Sequence, residues 1–371
     1  MKYNYLWFSS ILLITSYFYP DNHVGSWRWE NLVSILGKSS CNFYVIAGDN
    51  GAKYSETRGV YPYNKDERRV KDLYASSFRW RYAKRKNNNR LQNLASKKST
   101  SNNKNISIFS RALANIRRRI SLIIDFPDFS WRSSNLLIIE GRNIIEANDI
   151  DIIIASHPYI VTLRSAAKLS KTYNIPWIAD MRDGVTSNLF SPYLDFQILR
   201  YFLGLTEKAV LKSASKVVVI NKLLSSTLKC AEDKKFVIPN AFSSRKNNNF
   251  VEKFSSINLA YAGGVKDGHL YKLFLDGLKL YLDSYSKSIK FNYFGRDFDQ
   301  LASYAKEIGI NEDIMIDHGF IDVESVGKHL ETSDLLIMFG WRGRFSKTYQ
   351  SGKIFDYIAA GRPILAVSDL D

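Results

Sequence analysis

Short apolar runs alternate along this chain with segments whose apolar side chains recur every three or four positions. The runs read as strands buried on both faces, and the periodic segments as amphipathic helices covering them. In the first half, strands are predicted near Ile11–Ser16, Asn42–Ala47, Ile150–Ser156, Trp177–Asp180 and Lys216–Ile220, with helices over Gly25–Leu36, Ile160–Tyr173 and Tyr193–Ser213. A second series has strands near Ile257–Ala262, Lys290–Phe294, Ile314–Asp317, Leu335–Phe339 and Pro363–Val367, with helices over Leu270–Ser284, Gln300–Glu307 and Val323–Thr332. The pattern predicts an α/β chain of two Rossmann-like domains facing across a cleft. Residues 1–242 make the first domain and 256–371 the second. The polar stretch 243–255 links them, with Lys246-Asn247-Asn248-Asn249 as its tip.

Two regions break the pattern. Residues 84–105 are rich in Lys, Asn and Ser and carry no apolar period, which marks a solvated insertion. In Ile106–Ile124 that follows, Ile106, Phe109, Leu113, Ile116 and Ile120 line one helix face beside Arg117, Arg118 and Arg119. This segment reads either as a sheet-packing helix or as a basic amphipathic helix lying on anionic lipid. The apolar run Tyr5–Ser16 is too short and hydroxylated to span a bilayer and lacks a small-residue cleavage site. It reads as the first buried strand.

The 371 residues suffice for two cores, and 45% hydrophobic with 14% aromatic content excludes a disordered chain. The two cysteines, Cys41 and Cys230, form no CxxC motif or disulfide framework, so a reducing cytoplasm is expected. The net charge is +16. It is concentrated: from Leu73 to Ile124 there are many Lys and Arg but no Asp or Glu. Such a chain seeks phosphorylated ligands, anionic lipid or nucleic acid, and no RRM, KH or helix-turn-helix pattern favours the last.

Candidate chemistry lies just beyond the predicted strands, where ligands of wound parallel sheets sit. Gly263-Gly264-Val265-Lys266-Asp267-Gly268 follows the first strand of the second series. Its glycines let backbone approach a phosphate, and Lys266 adds charge. Gly295-Arg296 follows the next strand. Ser351-Gly352-Lys353 opens a short helix that ends at Gly361, which puts free backbone N–H groups and an ammonium at one point. Asp356 lies one turn inside, within reach of a ribose hydroxyl. In the first domain, Asp180-Met181-Arg182-Asp183 ends a strand. Arg182 is suited to bind a phosphate or carboxylate bidentately, or to join a structural Arg–Asp network. Gly25, Ser26 and Arg28 open the helix after the first strand, as an anion site or as a capped helix with surface Trp and Arg.

Three segments resemble glycosyltransferase family 4, retaining enzymes of the GT-B fold. The stretch from Ser351 to Ala366 is similar to the family's donor-sugar signature. Ile175-Pro176-Trp177-Ile178-Ala179-Asp180-Met181-Arg182-Asp183 is similar to the "giPwiaDfRDpW" segment of bacterial members that build surface polysaccharides. Val237-Ile238-Pro239-Asn240-Ala241-Phe242 resembles "vipNGfd", which precedes the interdomain crossover. They occur in the family's order. The resemblance implies a transferase that moves a sugar from a nucleoside-diphosphate sugar to a lipid-linked or glycan acceptor. It further implies a place at the inner face of the cytoplasmic membrane, against an anionic surface.

On this reading Gly263, Gly264, Lys266, Arg296, Ser351, Gly352, Lys353 and Asp356 bind the donor. Gly25, Arg28 and Asp180 bind the acceptor, and Arg182 with Asp183 is catalytic. No metal or other cofactor is expected. The DxD patterns at Asp149-Ile150-Asp151 and Asp369-Leu370-Asp371 sit at a strand start and at the last residues. The chain departs from the family twice. Thr348 and Asp356 stand where many members carry two glutamates, and the helices that usually follow the last strand are missing, so the second domain is expected to be incomplete at its C-terminus. The alternatives are a nucleotide-sugar epimerase of the same fold, a non-catalytic relative, and a basic nucleic-acid-binding protein.

Overall fold

The computed structural model describes residues 10–18, 24–37, 41–48, 66–70, 120, 123–124, 126, 134–188, 196–240, 256–266, 268–285, 288–342 and 351–368. The expected insertion 84–105, the linker 243–255, Arg117 to Arg119, Thr348 and Asp369 to Asp371 lie outside these residues. Of Ile106–Ile124, only Ile120, Ile123 and Ile124 are described; they are helical. The chain divides into two compact units, Met1–Pro239 and Asn240–Asp371.

The first unit is a seven-stranded sheet. Its strands are β1 (Ser10–Thr15), β2 (Asn42–Gly48), β3 (Asp66–Val70), β4 (Ile152–Ser156), β5 (Trp177–Met181), β6 (Lys216–Val219) and β7 (Lys235–Val237). The helices are α1 (Val24–Gly37), α2 (Ser134–Ala147), α3 (Ile160–Tyr173), α4 (Gln197–Ser213) and α5 (Lys222–Thr227). Spatial order is β3-β2-β1-β4-β5-β6-β7, with every pairing parallel. β1 is an interior strand, and its side chains alternate between two cores. Leu12 and Ile14 join Ile153, Ala179 and Leu169 on one face, and Ile11 and Leu13 join Phe43, Val45 and Trp29 on the other. Burial on both faces explains why this strand reads as an uninterrupted apolar run.

The second unit repeats the winding with five strands: β8 (Ser256–Ala262), β9 (Ser288–Phe294), β10 (Met315–Asp317), β11 (Leu335–Phe339) and β12 (Ile364–Val367). The helices are α6 (Tyr271–Ser284), α7 (Phe298–Glu307), α8 (Val323–Thr332) and α9 (Lys353–Ala360). The order β10-β9-β8-β11-β12 is again all parallel. In both units the chain winds outward in one direction, returns to the middle and winds in the other. The reversal falls between β1 and β4 and between β8 and β11, and such switch points are where wound sheets open a crevice at their C-terminal edge. Helix ends follow local chemistry. α3 stops at Asn174 in the left-handed region (φ 55), and α9 at Gly361 (φ 66). Asp322 caps α8 by accepting the Ser325 N–H at 2.9 Å.

The ten expected strands are present, with no end shifted by more than two residues. β3, β7, α2 and α5 were not foreseen. β3 (DERRV) is charged and β7 (KFV) spans three residues, so neither carries an apolar run.

Candidate functional site

The loops after β8 and β9 are tied together by their backbones. Gly263 N–H donates to the Phe294 carbonyl at 2.7 Å, and Gly295 N–H donates to the Gly319 carbonyl at 2.8 Å. Gly263 has φ 123, a region that side chains rarely adopt. A Cβ there would also lie 2.6 Å from Lys353 Nζ, and a Cβ on Gly295 would press on the Gly263 backbone, 2.7 Å from its carbonyl carbon. Gly263 is therefore required by its backbone conformation and Gly295 by close approach of backbone.

Lys353, the first residue of α9, lies over Gly263. Its Nζ donates to the Tyr261 hydroxyl at 2.5 Å and sits 4.1 Å from that ring's centroid. The Tyr261 hydroxyl in turn donates to the Gly264 carbonyl at 3.0 Å. Stacking on Phe339 at 4.4 Å and Tyr293 at 5.7 Å holds the Tyr261 ring. Tyr357 fixes α9 to the sheet. Its hydroxyl donates to the Ile337 carbonyl at 3.0 Å and accepts the Ala262 N–H at 3.0 Å. Burial, together with the nearby Lys266 ammonium, pulls the Lys353 pKa down to about 7. Among the described residues no carboxylate forms an ion pair with Lys353.

His269 borders this point. Its Nδ1 accepts the Lys266 N–H at 3.1 Å, and its ring packs on Trp341 at 4.1 Å. Burial and the two lysines push its pKa down to about 4, so the ring is neutral at neutral pH. Gly268 (φ 96) lets the Trp341 ring approach its backbone. Of the expected donor residues, Gly263, Gly264, Lys266 and Lys353 gather here. Ser351 and Gly352 open α9, where Gly352 offers no side-chain cap, and Asp356 lies in its first turn. Arg296 shares the β9 loop, but its guanidinium stacks over Phe320 at 4.6 Å. Sequence reasoning misses Tyr261, His269 and Trp341, because in sequence they are an aromatic inside a strand, a loop histidine and an aromatic just past a strand.

The corresponding edge of the first unit is arranged differently. Arg28 of α1 and Asp180 of β5 form a buried ion pair, only 5% and 1% exposed. Arg28 Nε donates to Oδ1 at 3.1 Å and Oδ2 at 3.3 Å of Asp180, Nη2 donates to Oδ1 at 2.9 Å, and Nη1 donates to the Pro239 carbonyl at 3.2 Å. Ser156 Oγ donates to Asp180 Oδ2 at 2.9 Å. Of the two readings of this helix start, the one with a surface Trp and Arg is corrected for Arg28, which Asp180 draws inward; Trp27 is half-buried, and Trp29 beyond it joins the core. Gly25 is buried in the first turn of α1.

Arg182 and Asp183 follow β5. Burial raises the Asp183 pKa against the pull of Arg182, and burial lowers that of Arg182 against both aspartates. His157, at the end of β4, donates its backbone N–H to the Asp180 carbonyl at 2.9 Å. Its Nδ1 is buried with no hydrogen-bond partner among the described residues. Burial and the Arg182 cation hold its pKa near 3. Asp151 of the first DxD pattern accepts the Ser10 N–H at 2.9 Å, at the strand-start edge away from both groups.

No family model matches the chain, and no curated protein matches it. Solved structures do. Sucrose-phosphate synthase from Thermosynechococcus elongatus is 12% identical over 96% of this chain and 81% of that one, with a TM-score of 0.58. HepE from Anabaena, in complex with UDP and glucose, is 10% identical over 96% and 80%, with a TM-score of 0.53. The UDP-GlcNAc 2-epimerase from Methanocaldococcus jannaschii is 10% identical over 96% and 83%, with a TM-score of 0.50. At such identities the likeness concerns fold, and the two parallel sheets of this chain are the two Rossmann-like domains of the GT-B fold.

Proposed function

We propose that this chain is a glycosyltransferase, similar to family 4, that moves a sugar from a nucleoside-diphosphate sugar to a growing, lipid-linked surface glycan with retention. It works at the inner face of the cytoplasmic membrane, where the acid-free stretch Leu73–Ile124 meets anionic lipid. The observation that carries the reading is Lys353 lying over Gly263. An ammonium is partly desolvated beside a second cation, at a sheet switch point, against backbone that only glycine permits. A bound anion relieves that arrangement. The order of the three sequence motifs, and UDP with glucose in a protein of similar fold, favour a nucleotide-sugar as that anion.

In this mechanism the diphosphate rests against Gly263, Gly264, Lys266, Ser351, Gly352 and Lys353, with Arg296 turning from Phe320 to join them. Asp356 holds the ribose. The fixed cations and N–H groups stabilise charge that develops on the leaving diphosphate as the sugar–phosphate bond breaks. Arg182 and Asp183 meet the acceptor, beside Gly25. Arg28 and Asp180 act as positioning residues that hold the start of α1 to the end of β5. The reaction so drawn uses no metal.

A panel of nucleoside diphosphates tests the donor site. At about a hundred times its dissociation constant, the right one stabilises the protein by about 2.7 kcal/mol. Lys353→Ala weakens that binding by about 1.5–3 kcal/mol, the range for hydrogen bonds to charged groups. No thermal shift with any nucleoside diphosphate refutes the donor site. Nucleotide-sugar turnover that proceeds without an acceptor refutes the transferase and points to epimerisation.

A further inference from the structure

The outward face of α4 is apolar. Ile198, Tyr201, Phe202 and Leu205 are 67%, 64%, 49% and 46% exposed. Their spacing puts them on one stripe, one above another. The opposite face already packs on the sheet through Leu203, Glu207, Val210 and Leu211. A surface helix ordinarily turns polar groups outward, and contiguous exposed apolar side chains mark an interaction surface. The Tyr201 and Phe202 rings meet edge-on at 5.7 Å, which makes the stripe one continuous patch.

The charged side chains that α4 itself exposes are basic; the nearest acids, Glu232 and Asp233, lie in the short turn beyond its C-terminus, where Glu232 pairs with Lys235. Lys208 and Lys212 are exposed along its flank toward the helix C-terminus. Lys234 adds a third ammonium there, donating to the carbonyls of Lys212 at 3.0 Å and Ala214 at 2.8 Å. The one carboxylate of α4, Glu207, is turned inward, where it accepts the Val185 N–H at 2.8 Å and the Thr186 hydroxyl at 2.7 Å. A second copy of the same face would bring like charges together, whereas anionic headgroups complement them. Among the described residues no helix is long and apolar enough to cross a membrane.

We infer that α4 docks onto an anionic lipid bilayer, with Ile198, Tyr201, Phe202 and Leu205 entering the headgroup–acyl boundary and Lys208 and Lys212 against the phosphates. Such interfacial binding combines apolar burial with attraction to anionic lipid. This inference is independent of the donor-site reading, whose residues belong to the other unit.

The test is co-sedimentation of the full chain with phosphatidylcholine vesicles, with and without phosphatidylglycerol. The triple variant Ile198→Ser, Phe202→Ser, Leu205→Ser changes only exposed side chains and should lower the partition coefficient about tenfold or more. Lys208→Glu with Lys212→Glu should weaken binding to anionic vesicles alone. Melting temperature and nucleoside-diphosphate affinity should stay at wild-type values in both. Undiminished binding of the triple variant overturns the inference and assigns vesicle binding to the stretch Leu73–Ile124. Wild type that ignores anionic vesicles also overturns it. So does a dimer, seen by sedimentation, that the triple variant abolishes.

Discussion

The two units carry the same winding, yet the chemistry at their switch points is opposite. In the first, a cation and an anion meet: Arg28 is closed on Asp180, with the Ser156 hydroxyl donating to the carboxylate and the Pro239 carbonyl accepting from the guanidinium. In the second, Lys353 meets a tyrosine and Gly263, and the charge acting most on it is Lys266. A compensated buried pair holds backbone in place. Among the described residues, Lys353 is held by the Tyr261 hydroxyl and ring and by no carboxylate.

Removing Asp180 should be the most disruptive way to test this contrast. Asp180→Ala leaves the Arg28 guanidinium buried without its counter-ion, which costs about 3–5 kcal/mol. Urea unfolding should register that loss. Replacing both partners by apolar residues should cost much less, and an equal cost would show that the pair does more than compensate itself.

Gly263→Ala comes next. It imposes a backbone conformation that alanine disfavours and displaces Lys353, at about 1–3 kcal/mol. The far end of a lysine can move, so the unit should fold while calorimetry records weaker nucleoside-diphosphate binding. Unchanged affinity would remove Gly263 from the site.

The smallest effect is a pH slope. Folding lowers the Lys353 pKa from 10.5 to about 7, so the free protein holds fewer protons than the unfolded chain between those values. Its stability therefore gains from this group as pH rises through that window. A bound diphosphate reverses the shift, so binding above pH 7 takes up a proton. Affinity should fall with rising pH by at most about 1.4 kcal/mol per unit. Calorimetry in buffers of different ionisation enthalpy should detect the proton, and Lys353→Met should abolish the slope.

Much of this was legible in the sequence. Parallel strands buried on both faces must be continuous apolar runs, so β1, β4 and β8 declared themselves through local composition. Gly263 and Gly361 were readable because few residues substitute for glycine at a close approach or a left-handed stop. The strands that escaped, β3 and β7, are polar or very short edge strands, which pairing with a neighbour creates and no local pattern announces. Partnerships were decided only by tertiary structure. Arg28 and Asp180 are 152 positions apart, and Lys353 and Tyr261 are 92 apart. The winding of each sheet brings them to one edge, and only there does burial determine which charge is neutralised, which pKa moves and which face of α4 is left outside.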